Sequence, residues 1–285
     1  MRETKLPDPS LANVVCANAE RFSGFAVLYD MARPTTPVLI TDLLQAYLES
    51  GRASSSNGPI VVDVGCGTGL STLIWQGRCA GVTGVDPSTD MLALATEKAR
   101  KLETNEVRFI QGDSTHLPFG DSSTDIVTCS QSFHWMEPNA SLAEFHRVLV
   151  HGGVFAAFDC DWPPSIGRES EMLYRLFLER AEKIASERAI QSESRKWHRE
   201  KHLDDIRASG LFQFSKEIVF HSVEQCDAEH FIAIALSQSQ LQELLKAGVN
   251  ETELDLHSFR AGVHRALGES PRPMYLSYRM QIAVK

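Results

Sequence analysis

Three glycines and two aspartates carry the sharpest chemical signal in the chain. The glycines lie in Val61-Val-Asp63-Val-Gly65-Cys-Gly67-Thr-Gly69, where a short apolar run hands over to a polar turn. Glycine lets a backbone turn tightly and approach a ligand closely. The spacing is Gly-x-Gly-x-Gly, so the third glycine arrives one residue early for a pyrophosphate-binding turn. Asp63 precedes the first of these glycines by two positions, and Asp86 follows it by 21. In open parallel sheets a carboxylate at that distance ends the second strand and grips a ribose diol. Asp86 also stands just before a helical stretch, in Val85-Asp86-Pro87-Ser88, so capping that helix is its structural alternative.

Other candidates follow the later apolar runs. Asp113, in Gln111-Gly-Asp113-Ser114, reads either as a ligand contact or as an ordinary Asx turn. His134 and Trp135 lie just after the fourth run, on the side of the sheet where such folds bind ligands. His134 reads as a general base, a substrate anchor or a structural histidine. Trp135 and Trp162 are candidates for the aromatic wall of a substrate pocket, and each could equally be core. Asp159 and Asp161 are two residues apart at a strand end, a pattern of solvated or hydrogen-bonded carboxylates; no metal is expected.

These residues need a scaffold, and the alternation of short apolar runs with helical stripes supplies one. Strands are expected at 60–64, 81–86, 107–111, 125–129, 154–159, 214–223 and 274–284. Helices are expected at 38–50, 69–76, 89–101, 139–149, 169–190, 204–209, 228–247 and 251–267. The alternation predicts a parallel sheet with both faces covered. Ile60–Val64 and Val154–Phe158 are continuously apolar, as doubly buried strands should be. Residues 1–36 read as mixed, and the polar stretch 52–59 reads as a linker behind an N-terminal arm (1–57). The main domain is expected over 58–285, with helical insertions at about 165–202 and 227–268 that could cover a pocket.

Composition narrows the partners. The chain has 285 residues, with 37 acidic and 28 basic side chains and a formal charge of −9. That balance disfavours a nucleic-acid partner, which needs a basic face. The most basic stretch, around Arg195, Lys196, Arg199 and Lys201, is short and interrupted by Glu200. No apolar run is long enough to span a membrane. No secretory signal is visible at the start, and the six cysteines are scattered without ligand spacing, so a reducing cytoplasm is expected.

Residues 58–160 resemble the class I S-adenosylmethionine-dependent methyltransferases, whose first motif reads here Asp63-Val-Gly65-Cys-Gly67-Thr-Gly69. Within that class the chain resembles the trans-aconitate methyltransferase-like, small-molecule group. Arg33-Pro34-Thr-Thr-Pro37 and Ser132-Phe-His134-Trp135 carry that second likeness. The resemblance implies a Rossmann-like α/β fold: a seven-stranded class I methyltransferase sheet, mostly parallel with the last strand antiparallel, and helical lid insertions. It implies S-adenosyl-L-methionine as methyl donor and S-adenosyl-L-homocysteine as product. Gly65, Gly67 and Thr68 would cradle the methionine end, and Asp86 would take the ribose. Pro87 and Met91 would flank the adenine, whose amino group would meet Asp113 and Ser114. Ser130 and Gln131 would border the sulfonium, and Tyr29 and Arg33 would reach its carboxylate end.

The expected reaction is methyl transfer to a small molecule, on oxygen, with a carboxylate as one acceptor. C- or N-methylation of a metabolite is the alternative, as is a non-catalytic cofactor-binding module. An Asn-Pro-Pro-Tyr motif is absent after the fourth strand, against amino-group methylation of adenine or glutamine. The Gly-x-Gly-x-Gly spacing and the lack of a Tyr-x-x-x-Lys pair speak against a nicotinamide oxidoreductase. For a carboxylate substrate the lid offers Arg168, Arg175, Lys196, His198 and Arg199, most of which read as a solvated helix face. A monomer or homodimer is expected.

Overall fold

The computed structural model describes residues 9–48, 58–102, 105–190 and 194–285. The linker expected at 52–59 falls mostly outside them. Seven strands form one sheet: β1 (Ile60–Val64), β2 (Gly81–Asp86), β3 (Val107–Gln111), β4 (Thr124–Ser130), β5 (Leu149–Cys160), β6 (Phe214–Cys226) and β7 (Arg272–Val284). Their order is β3-β2-β1-β4-β5-β7-β6. The first five run parallel, and β7 is antiparallel to both β5 and β6. The order reverses between β1 and β4, so a crevice opens beyond the carboxyl ends of those strands.

Apolar side chains bury both faces of the sheet. Val61, Ile126 and Phe158 belong to the core on one face, and Val62, Val127 and Phe155 to the core on the other. Helices α1 (Pro9–Arg21), α2 (Ala26–Ala32), α3 (Leu39–Tyr47), α4 (Thr89–Lys101) and α5 (Pro138–Val148) precede or interleave the parallel strands. After β5 come α6 (Arg168–Glu187), α7 (His202–Ala208), α8 (Ala228–Leu236), α9 (Ser239–Lys246) and α10 (Asn250–Leu267); α6, α8, α9 and α10 fall in the stretches read as insertions and α7 between them. Phe177 of α6 stacks on Phe259 of α10 at 4.6 Å. Gly262 admits Leu173 so closely that a Cβ there would meet it at 3.0 Å.

Three elements differ from expectation, each for a local reason. Residues 69–76 form turns and one short 3₁₀ turn, Leu73–Trp75, rather than an α-helix. The hydroxyls of Ser71 and Thr72 turn back to Asp63, and Gly69 sits at φ +82°. Such local side-chain bonds compete with helix formation. The single helix expected over 228–247 breaks at Ser237 and Gln238, where Arg33 reaches the Ser237 carbonyl at 3.1 Å. The stretch 1–36, read as mixed, contains α1 and α2 within its described part.

Candidate active site

Asp63 anchors the glycine loop from below. It is fully buried, and it accepts hydrogen bonds from Ser71 and Thr72 (both 2.7 Å) and from Thr128 of the neighbouring strand (2.8 Å). Burial pushes its carboxyl upward, and the three hydroxyls oppose that shift. The loop closes above it. The amides of Gly65 and Cys66 both donate to the Val85 carbonyl, at 2.7 and 3.1 Å. Gly65 requires glycine twice over: φ is +69°, and a Cβ would lie 2.5 Å from that of Ser132. Gly67, at φ +54°, faces open space.

Asp86 ends β2 beside that loop. Its Oδ2 accepts from the Gly67 amide and its Oδ1 from the Ser88 amide, each at 2.8 Å. Burial raises its pKa to about 6, against the pull of those two amides. The cap of α4 is Ser88, which accepts from Met91 N, so Asp86 is not the capping residue. Asp113 forms the Asx turn, accepting from Thr115 N at 2.8 Å, and it lines the cleft as well. Ser114 shares a 2.7 Å hydrogen bond with Ser141. Gln131 holds the left-handed region at φ +51°, a costly conformation for a non-glycine residue that places it at the end of β4. Its side-chain oxygen accepts from the Trp162 indole at 3.3 Å.

These segments enclose one cleft of about 1100 Å³, counting its open mouth. Gly65, Gly67, Thr68, Asp86, Pro87, Met91, Asp113, Ser114, Ser130 and Gln131 all line it, and so do Tyr29 and Arg33 of the N-terminal arm. Trp135 joins them, with Phe22 packed edge-on at 5.5 Å. Arg33 lies 4.8 Å from the ring centres of both Tyr29 and Trp162. Trp162 thus backs Arg33 and is not itself among the residues lining the cleft.

His134 does not reach the cleft either. It is 1% exposed, and its ring lies among Asp159, His202 and Arg199. The Arg199 guanidinium stands 3.2 Å from both ring nitrogens, and Asp159 Oδ1 is 3.3 Å from Nδ1. Burial lowers the His134 pKa to about 3, although Asp159 pulls the other way. Neither nitrogen is free to take a proton from a molecule in the cleft. Its ionised partner Asp159 is held down at about 2 by His134, Arg199 and His202 in spite of burial.

Sequence reading missed two residues that assemble the site. Lys98 of α4 donates to the Thr68 carbonyl at 2.9 Å and pairs with Asp30 of α2 at 2.5 Å. Asn18 of α1 donates to the Trp135 carbonyl at 2.8 Å and to the Arg195 carbonyl at 3.2 Å, and it accepts from Arg195 N at 3.0 Å. Both act through long-range contacts, so no short-range pattern marks them. Five cysteines are buried and Cys16 is exposed; all six are free thiols. Among the described residues no metal-ligand cluster occurs, and no helix is long and apolar enough to cross a membrane.

Residues 62–157 match the family model described as a methyltransferase domain. That match covers about a third of the chain, and with the sheet order it makes this part similar to the class I S-adenosylmethionine-dependent methyltransferases. Among curated relatives, the demethylmenaquinone methyltransferase of Thermus thermophilus is 33% identical over 123 residues, 42% of this chain and 54% of that protein. The malonyl-[acyl-carrier protein] O-methyltransferase of Pectobacterium atrosepticum is 36% identical over 102 residues, 35% of this chain and 38% of that protein. The chain thus spans about half the length, or less, of these relatives. In fold, the chain is similar to a putative type II methyltransferase from Anaeromyxobacter dehalogenans. The TM-score is 0.60 at 19% identity, covering 88% of this chain and 96% of that one.

Proposed function

We propose that the protein transfers a methyl group from S-adenosylmethionine to an oxygen of a small molecule in the cytoplasm, releasing S-adenosylhomocysteine. One observation carries this reading: every residue assigned to the cofactor from sequence, across five separated segments, lines the same cleft. The donor set fits the group. Arg33 Nε and Thr68 Oγ1 belong to cleft-lining residues, are buried and lack a hydrogen-bond partner, as groups awaiting an anionic or polar ligand would. Open space above Gly67 lets a ligand meet the loop backbone.

S-adenosylmethionine supplies an activated methyl on a sulfonium. The chain's own work is to bind, orient and exclude water. In our reading Asp86 accepts from the ribose hydroxyls, and Pro87 and Met91 flank the adenine near Asp113 and Ser114. Arg33 and Tyr29 meet the amino-acid carboxylate, while Gly65, Gly67 and Thr68 cradle its backbone. Ser130 and Gln131 border the reacting centre, and Trp135 walls the substrate.

His134 then acts as a positioning residue for the segment after β4, and the acceptor must arrive ionised. A carboxylate satisfies that requirement. The Arg33-Pro34…Pro37 segment supports the trans-aconitate-like, small-molecule group, since Arg33 and Pro34 both line the cleft. A monomer or homodimer without nucleic acid fits the acidic charge. Calorimetric titration with S-adenosylmethionine and S-adenosylhomocysteine, with NADH as control, tests the class. Micromolar binding of the adenosyl ligands alone is expected. Binding of NADH alone, or of none, overturns it.

A further inference from the structure

A basic stretch of this acidic chain, Arg195 to Lys201, packs against two cleft-lining residues, Asn18 and Trp135. Residues 194–198 have no helix or strand of their own, yet they are fixed from below. Asn18, which lines the cleft, bonds both backbone groups of Arg195. The Trp197 amide donates to the His134 carbonyl at 2.8 Å. Arg199 reaches down to Asp159 at 3.4 Å. The strap is therefore part of the site's architecture rather than a solvated helix face.

Two cations meet the cleft-lining Trp135 ring. Arg21 stands 5.3 Å from its centre and Lys196 5.5 Å. Arg21 is occupied, with Glu243 at 3.2 Å, Ser194 at 2.7 Å and Ser239 at 2.9 Å. Arg199 is occupied by Asp159 and His134. Lys196 has no ion-pair or hydrogen-bond partner among the described residues and lies over the indole face. Its residue is exposed overall but its ammonium is crowded. Lost hydration first, then the charges of Arg199 and Arg21, draw its pKa down to about 8, against the smaller opposing pull of Asp159 and Glu182. A cation with no direct ion-pair partner, over an aromatic wall and beside two arginines, attracts an anion.

We propose that the strap reads the substrate, and that Lys196 supplies the counter-charge for an anionic group carried on an apolar body packed against Phe22 and Trp135. This rests on the methyl-transfer reading for the identity of the cleft, while the selectivity itself is measurable without turnover. A carboxylate and a phosphate ester share the required chemistry. If the anion is itself the methyl acceptor, its ester loses the charge that Lys196 holds, and the product is released more readily than the substrate.

The test uses the full-length protein loaded with S-adenosylhomocysteine. It is titrated with matched pairs of aryl and alkyl carboxylates against their methyl esters, and of aryl phosphates against the parent phenols. Anionic members should bind about ten-fold more tightly than their neutral partners, as a charge-assisted contact allows. Lys196→Gln should reduce that preference to about two-fold and leave S-adenosylhomocysteine affinity unchanged. The carboxylate and phosphate arms decide which anion is read. Equal binding within every pair, or a preference that Lys196→Gln leaves intact, overturns the proposal. The pairs are also titrated without the adenosyl ligand. An intact anion preference in a protein that never binds S-adenosylhomocysteine sinks the methyl-transfer reading and spares this one.

Discussion

The backbone amide of Gly67 donates to Oδ2 of Asp86 at 2.8 Å, tying the glycine loop to the end of the second strand. With Ser88 N on Oδ1, both carboxylate oxygens are held by backbone amides at the edge of the cleft that Asp86 lines. Burial keeps this carboxyl near 6, well above an ordinary aspartate.

Cofactor affinity should therefore depend on pH. Because folding raises the Asp86 pKa, its contribution to stability is full below about 4 and is lost as pH rises through about 6. Ribose hydroxyls favour the ionised form, so the sign for binding is opposite. Calorimetry should find constant affinity above pH 7 and a decline below about 6, at most about ten-fold per unit. Asp86→Asn should bind weakly at every pH. A flat wild-type profile from pH 5 to 8 would remove the ribose assignment.

Gly65 and Gly67 should separate folding from binding. Alanine at Gly65 meets Ser132 and a positive φ, and should cost about 2 kcal/mol or more in denaturant unfolding. Alanine at Gly67 bears only the φ penalty, about 1 kcal/mol, because its Cβ points into space. That space is where the cofactor would lie, so Gly67→Ala should lose affinity out of proportion to stability. Equal losses in both variants would contradict this.

Asp63→Ala leaves the buried hydroxyls of Ser71, Thr72 and Thr128 without their acceptor. A destabilisation of about 2–4 kcal/mol is expected, since stranded buried donors cost about 1–3 kcal/mol each and relax in part. The Asp63→Asn variant keeps one carbonyl oxygen and should lose less. Urea midpoints for the two variants decide the ordering.

His134 is neutral throughout the working range, with its pKa near 3. At saturating cofactor, kcat against pH should have the same shape in wild type and His134→Gln, while the variant melts at lower temperature. Loss of a step near pH 6.5 in the variant would restore His134 as the general base.

The parts of this molecule legible in the sequence are the parts governed by short-range rules. Asp63, Gly65, Gly67 and Asp86 sit at strand ends whose periodicity and turn residues are local, and all seven strands were placed from it. The roof was not legible. The helix expected over 228–247 breaks at Ser237, where Arg33, 204 residues away, bonds the Ser237 carbonyl. His134 sits just after the fourth strand, as expected, but only the folded chain brings Arg199 and Asp159 onto its ring. Position along a strand indicates which end of the sheet a residue occupies, whereas the direction it faces depends on what distant segment covers it.

Lys98 gives one ammonium to two clients, the Thr68 carbonyl of the glycine loop and Asp30 of the arm. The glycine loop and the arm therefore share one contact, so a change at either is felt at the other. Whatever factor the docked arm adds to cofactor affinity, bound cofactor must return to arm docking, because such coupling is reciprocal. Residues 26–32 should then grow more resistant to proteolysis as S-adenosylmethionine is added, a readout that needs no substrate.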